Sequence, residues 1–225
     1  MARQARLCLP GQAHLVQQRA GAEVFREADD YEDYLRRLAQ TAQRSGVQVH
    51  GYALVPRAVW LVLTPGDCAG LSALMQTLAR CASRRRGEGA GIWQGRYRSA
   101  LLQQSWLLPA LCAVDMAPQS EGACAEATAW PWSSLAHHTG RRPSAWLREV
   151  PPYWELGNTP YAREAAYAAL LSADAAKQHR ETIERALRAA GALGDDAYLA
   201  WAEQQLGRSL RPRARGRPRI PGNAS

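Results

Sequence analysis

Residues 12–19 (QAHLVQQR) alternate loosely between apolar and polar and suit a strand. The period then changes. Tyr31, Tyr34, Leu35, Leu38 and Ala42 recur three or four positions apart, which predicts a helix with one apolar face. Asp29 and Asp30 stand where its N-cap belongs, and Gly46 stands where it stops. Val47 to Val55 and Val59 to Leu63 read as two strands of a hairpin broken at Pro56. After the turn at Pro65-Gly66, Leu71, Leu74, Met75, Leu78 and Ala82 form a second helical stripe. Tyr97 to Gln103 reads as another strand. Trp106 to Met116 reads as a helix that admits Pro109 only in its first turn.

This order, β-α-β-β-α-β, is that of a ferredoxin-like sheet with two helices on one face, so the class expected is α+β. The pattern changes after residue 118. Pro131-Trp132-Ser133-Ser134 can start a helix with a serine cap, and residues 140–160 are loop-like and rich in proline. Amphipathic helices are expected over 161–172 and 175–190, with a short one over 195–206 beyond Gly191 and Gly194. From Arg208 onward apolar periodicity is lost and Arg208, Arg211, Arg213, Arg215, Arg217 and Arg219 accumulate. The division expected is a sheet domain at 1–118, a helical appendage at 119–207 and a disordered basic tail at 208–225.

Charge adds a partner to this picture. The formal charge is +8, from 28 basic against 20 acidic residues, which points to a polyanion and to nucleic acid first. Lys177 is the one lysine. GC-rich coding explains arginine in place of lysine, but not the surplus of positive charge. The five cysteines, Cys8, Cys68, Cys81, Cys112 and Cys124, form no CxxC pair and no zinc spacing, so reduced thiols and no bound metal are expected. No apolar run reaches the roughly 20 residues of a membrane helix. Leu7-Cys8-Leu9 is too short for a signal peptide, so a cytoplasmic, nucleoid-associated location with no membrane partner is expected.

Two segments suit DNA. Arg84, Arg85 and Arg86 precede Trp93, Gln94, Arg96 and Arg98, and arginines interleaved with tryptophan combine phosphate contacts with base stacking on a single strand. The alternative is a core tryptophan among solvated arginines. At the end of the chain Arg215, Arg217 and Arg219 surround Gly216 and Pro218 in an AT-hook-like core. Such a segment fits the narrow minor groove of an A·T-rich duplex; the alternative is a tail that aids solubility. His137 and His138 read as a solvated pair.

Several fragments, in order, resemble the REP-associated tyrosine transposases. They are the strand HLVQQR, Gly51 to Pro56 (GYALVP), Trp93 to Arg98 (WQGRYR), Trp130 to Ser134 (WPWSS), Gly191 to Trp201 (GALGDDAYLAW), and Arg215 to Arg219 (RGRPR). The resemblance implies single-stranded hairpin repeats as partner. It also implies a tyrosine that attacks a phosphodiester, aided by Mg²⁺ or Mn²⁺. Two histidines spaced His-x-His would bind that metal from one strand face, with a third ligand one helical turn after the tyrosine. Anchored on Pro56, the His-x-His positions fall on Ala58 and Trp60, the nucleophile on Ala113 and the third ligand on Ala117. A methyl group binds no cation, and an indole nitrogen only donates. The resemblance therefore implies a degenerate active site with no metal cofactor held.

Three readings stay open from the sequence. One is a DNA-binding protein of the transposase family that has lost nuclease activity. Another is a decaying remnant. The third is a strand transferase with a relocated nucleophile, Cys112 beside Asp115 or else Tyr97. Oligomeric state is not legible.

Overall fold

The computed structural model describes residues 7–87, 90–172 and 175–210. The elements, in order, are β1 (Ala13–Arg19), α1 (Ala28–Arg44), β2 (Val47–Val55), β3 (Ala58–Pro65), α2 (Cys68–Arg85), β4 (Arg98–Leu102), α3 (Leu107–Asp115), α4 (Ala117–Ser120), α5 (Leu135–His138), α6 (Pro151–Trp154), α7 (Pro160–Ser172), α8 (Ala175–Ala189), β5 (Ala192–Leu193) and α9 (Asp196–Leu206). They build a mixed α and β architecture. The sheet runs β2-β3-β1-β4-β5, with β1 antiparallel to both β3 and β4 and with β5 parallel to β4.

Both faces of the sheet are covered, as the period-2 alternation of its strands requires. On one face Val16, Leu54, Val59, Leu61 and Leu63 pack against the stripes of α1 and α2, including Tyr34, Leu38, Leu71, Leu74 and Leu78. On the other, Leu15, Ala53, Val55, Val62, Ala100 and Leu102 pack against Leu111 and Val114 of α3, Tyr167 of α7 and Ile183 of α8. Residues from both sides of position 118 share this second cluster.

Local chemistry sets the helix ends, with two departures from the sequence reading. Asp29 and Asp30 lie inside the first turn of α1. Its cap is Glu27, which forms a reciprocal capping box with Asp30. Ser134 precedes α5 but supplies no side-chain cap, because its hydroxyl is drawn into the interior. Asp67 does cap α2, accepting from the Gly70 N–H at 2.5 Å.

The β2 edge is shielded rather than left open. Leu54 N–H donates to the Trp132 carbonyl at 2.9 Å, and Ser134 N–H donates to the Tyr52 carbonyl at 2.8 Å. Trp132 stacks on Tyr31 with ring centroids 4.9 Å apart. Gly51 sits at an irregularity in the β2–β3 register, where a Cβ would lie 2.6 Å from Leu111 Cδ2. Only glycine lets α3 approach the sheet this closely.

Two further corrections concern the termini. Cys8 and Cys68 form a disulfide, with Cα atoms 5.7 Å apart, so they are not the reduced thiols expected. Cys81, Cys112 and Cys124 are free. The tail does not begin at Arg208. Leu210 is buried with Leu7, Leu101 and Ala202, and its N–H donates to Glu203 at 2.7 Å. Arg211, Arg213, Arg215, Arg217 and Arg219 lie outside the described residues.

Candidate nucleic-acid interface

The register of the sheet gathers arginines from distant parts of the chain at one end. Arg19, last in β1, faces Ala58, first in β3; Arg98, first in β4, faces Gln17. Arg57 joins them through its carbonyl, which accepts from Ala20 N–H at 2.8 Å, and Gln94 N–H donates to the Arg19 carbonyl at 2.9 Å. The last turn of α2 reaches the same end, where Arg85 Nε meets Asp30 at 2.5 Å. Arg57, Arg84, Arg96 and Arg98 are exposed and have no ion-pair partner among the described residues. Gln94 is exposed beside them, and Arg86 is half-buried at the C-cap of α2.

The sequence-predicted residues do not all behave alike. Trp93 takes the core alternative: it is 9% exposed, packs in the cluster under α1 and α2, and its indole N–H donates to the Ala79 carbonyl at 3.1 Å. It presents no free face to a base. Arg85 is engaged by Asp30, so the 84–86 cluster is less free than its sequence implies.

Ala58, Trp60, Ala113 and Ala117 come together. All four belong to or pack against the cluster between the sheet and α3. Here Trp60 N–H donates to Glu121 Oε1 at 2.8 Å, and Arg19 Nη2 donates to the same oxygen at 2.8 Å. The Arg19 guanidinium lies 6.0 Å from the centre of the Trp60 ring. With its amide turned so that oxygen faces the guanidinium, Gln17 accepts from Arg19 at 3.1 and 3.2 Å. Glu121 and Arg19 were not singled out in the sequence. Strand parity places Arg19 on the face of Gln17, but nothing local announces a partner 102 residues away.

On the α3 side of the sheet lies a buried polar network that the sequence did not announce. Asp115 is fully buried and accepts from the Ser134 hydroxyl at 2.5 Å, from His138 Nδ1 at 2.6 Å and from the Tyr167 hydroxyl at 2.7 Å. His138 Nε2 faces the His50 carbonyl at 3.0 Å. Both ring nitrogens thus face acceptors, so both carry protons and the ring is an imidazolium. Burial opposes that charge, but the Asp115 carboxylate and the His50 carbonyl outweigh it and hold the pKa above the ordinary histidine value. The solvated reading of His138 is corrected accordingly. His137 is the more accessible of the two, 3.3 Å from Glu149.

The same network bears on Cys112, one of the two relocated nucleophiles considered from the sequence. Burial, reinforced by Asp115, pushes the Cys112 thiol up to about 12, so it holds no thiolate near neutrality. Asp115 has spent its oxygens on internal donors. Tyr97 packs against the opposite layer, under α1 and α2. Serine, histidine and aspartate do meet here, but the serine bonds the aspartate rather than the histidine, so the Ser-His-Asp order of a catalytic triad is not formed.

Among the described residues no group of three or more His, Cys, Asp and Glu could hold a metal ion. Among them, too, no helix is long and apolar enough to cross a membrane. The basic end is suited to phosphate by charge and exposure.

No protein-family model matches the sequence, and no curated protein is significantly similar to it. Solved structures do match. One is a putative transposase from Deinococcus radiodurans, with 16% identity over 44% of this chain and 84% of that one, at a TM-score of only 0.34. Another is a REP-associated tyrosine transposase bound to a REP hairpin. It is 12% identical over 67% of this chain and 92% of that one, with a TM-score of 0.52. At this identity the likeness is one of fold: the chain is folded like a REP-associated tyrosine transposase.

Proposed function

We propose that this chain is a DNA-binding protein of the REP-associated tyrosine transposase family that has lost metal-dependent strand cleavage. The observation that carries the reading is the gathering of Arg19, Arg57, Arg96 and Arg98 at one end of the sheet. Support comes from the order β1-α1-β2-β3-α2-β4 with strands arranged β4-β1-β3-β2, as a ferredoxin-like core requires, followed by a helical extension. The fold neighbour was solved on a REP hairpin, and a hairpin with single-stranded flanks is the substrate class we assign here.

Loss of cleavage follows from side-chain chemistry. Ala58 and Ala117 supply no lone pair, Trp60 only donates, and Ala113 is no nucleophile. The Mg²⁺ or Mn²⁺ of an active relative would find no ligand at these positions. In the place of a bound cation the site offers the Arg19 guanidinium, held by Glu121. Arg57, Arg84, Arg96 and Arg98 then contact phosphates, and Gln94 lies within their span. In the tail, Arg215, Arg217 and Arg219 engage the minor groove of an A·T-rich duplex.

The test is equilibrium binding of hairpin and linear DNA across a salt series. The full chain should bind with a log–log salt slope of several units, and combined substitution of Arg57, Arg96 and Arg98 by alanine should reduce that slope by about 2 to 3. Removing residues 211–225 should selectively weaken A·T-rich duplex binding. An unchanged slope in the triple variant would move the interface elsewhere.

A further inference from the structure

We infer that the cavity between α4 and α7 receives one unpaired nucleobase of a strand crossing the basic end of the sheet, an inference that rests on the DNA-binding reading above. The cavity holds about 460 Å³ and has an apolar floor that includes Met116, Leu135 and Leu171. Gln119, Arg141 and Tyr161 stand at its rim. Tyr161 is 81% exposed and stacks on no ring among the described residues. An apolar floor, a free aromatic ring and a polar rim together suit a flat heterocycle, which buries its faces and bonds through its edge.

Position and charge select the base rather than the phosphate. Gln119 lines the cavity from α4, whose C-cap is Glu121. Glu121 holds Arg19, and Arg180 of α8 donates to the Ser120 carbonyl at 3.2 Å. Two arginines thus flank the end of α4, Arg180 being paired also with Glu184 at 3.1 Å, and a phosphate seated on either lies at the helix from which Gln119 lines the cavity. Inside the cavity the balance reverses. Glu126 and Glu164 also line it, and their carboxylates repel a phosphate but accept from the amino or imino N–H that every base carries. Arg141 is exposed at the rim, with no ion-pair partner among the described residues, and is free to meet the next phosphate.

The experiment is an abasic scan with the full-length protein. A labelled DNA hairpin with single-stranded extensions is compared with a series in which one extension nucleotide at a time lacks its base. Loss of the base at one position should weaken binding about tenfold, the effect of one lost stacking contact. Tyr161→Ala removes an exposed ring, and Ala168→Trp fills the cavity from a side chain on its lining. Each should erase the sensitivity at that position while binding to the blunt hairpin is kept. A flat scan, or a sensitive position unchanged in both variants, overturns the pocket and leaves the DNA-binding reading standing. Failure of the unmodified protein to bind any of these DNAs overturns both.

Discussion

The indole N–H of Trp60 meets the carboxylate of Glu121 at 2.8 Å, although the two are 61 residues apart in the chain. The contact fastens the end of α4 onto β3. The same carboxylate oxygen holds Arg19, so one acidic side chain closes the cluster and balances a cation at the basic end.

Replacing that carboxylate separates the two roles. Glu121→Gln keeps an acceptor for Trp60 but frees the Arg19 charge. Stability should change by less than about 1 kcal/mol, since Arg19 is 42% exposed. DNA binding should strengthen, with a salt slope steeper by about 0.9 for the added phosphate contact. A salt titration with an unchanged slope would show that Arg19 does not face the DNA.

The buried pair of Asp115 and His138 behaves differently. Asp115→Asn leaves an imidazolium in the interior without its counter-charge. Breaking such a pair costs about 3–5 kcal/mol, which for a chain of this size lowers Tm by roughly 10 °C. Calorimetry showing a loss under 1 kcal/mol would mean that His138 sheds its proton without consequence.

Much of the fold is written locally, and most of this site is not. Tyr31, Tyr34, Leu38 and Ala42 announce α1 by spacing alone, and the loose alternation of residues 12–19 announces β1. Asp115 and His138 carry no such signal, because a buried network is made by contacts across 23 residues and more, and each member alone reads as solvated or adventitious. Trp93 is open to either reading from the sequence. Its neighbours are exposed arginines, yet its ring turns inward beneath α2. The Cys8–Cys68 bond joins positions 60 residues apart, beyond any short spacing rule.

That bond has a measurable consequence. Closing a loop of this length restricts the unfolded chain by about 4 kcal/mol. Reduction, or Cys8→Ser with Cys68→Ser, should therefore lower Tm by roughly 10 °C. Identical melting with and without reductant would show that the thiols are free in solution.

Histidine burial sets the pH profile. Burial lowers the pKa of His14 to about 4, against the Gln12 carbonyl bond that raises it. Burial likewise lowers His50 and His137. The unfolded chain takes up these protons first, so stability falls as pH drops below about 6.5, with His14 alone contributing on the order of 3 kcal/mol by pH 4. His138 acts with the opposite sign: its stabilisation is complete below about 6.5 and is lost as pH rises through its raised folded-state value. Urea midpoints should decline on both sides of neutrality. His14→Asn, which keeps a donor toward Gln12, should flatten the acid limb; an acid limb of unchanged steepness would contradict the assignment.

The proposed function is binding without cleavage. A labelled single-stranded hairpin is incubated with the protein and Mg²⁺ or Mn²⁺, then divided between native and denaturing gels. The native gel should show a shifted complex of the same strength when a chelator replaces the metal. The denaturing gel should show intact DNA and no covalent species, since Ala58, Trp60, Ala113 and Ala117 supply neither metal ligand nor nucleophile. A metal-dependent covalent adduct or cleaved strand in that gel would show that the chain retains nuclease activity.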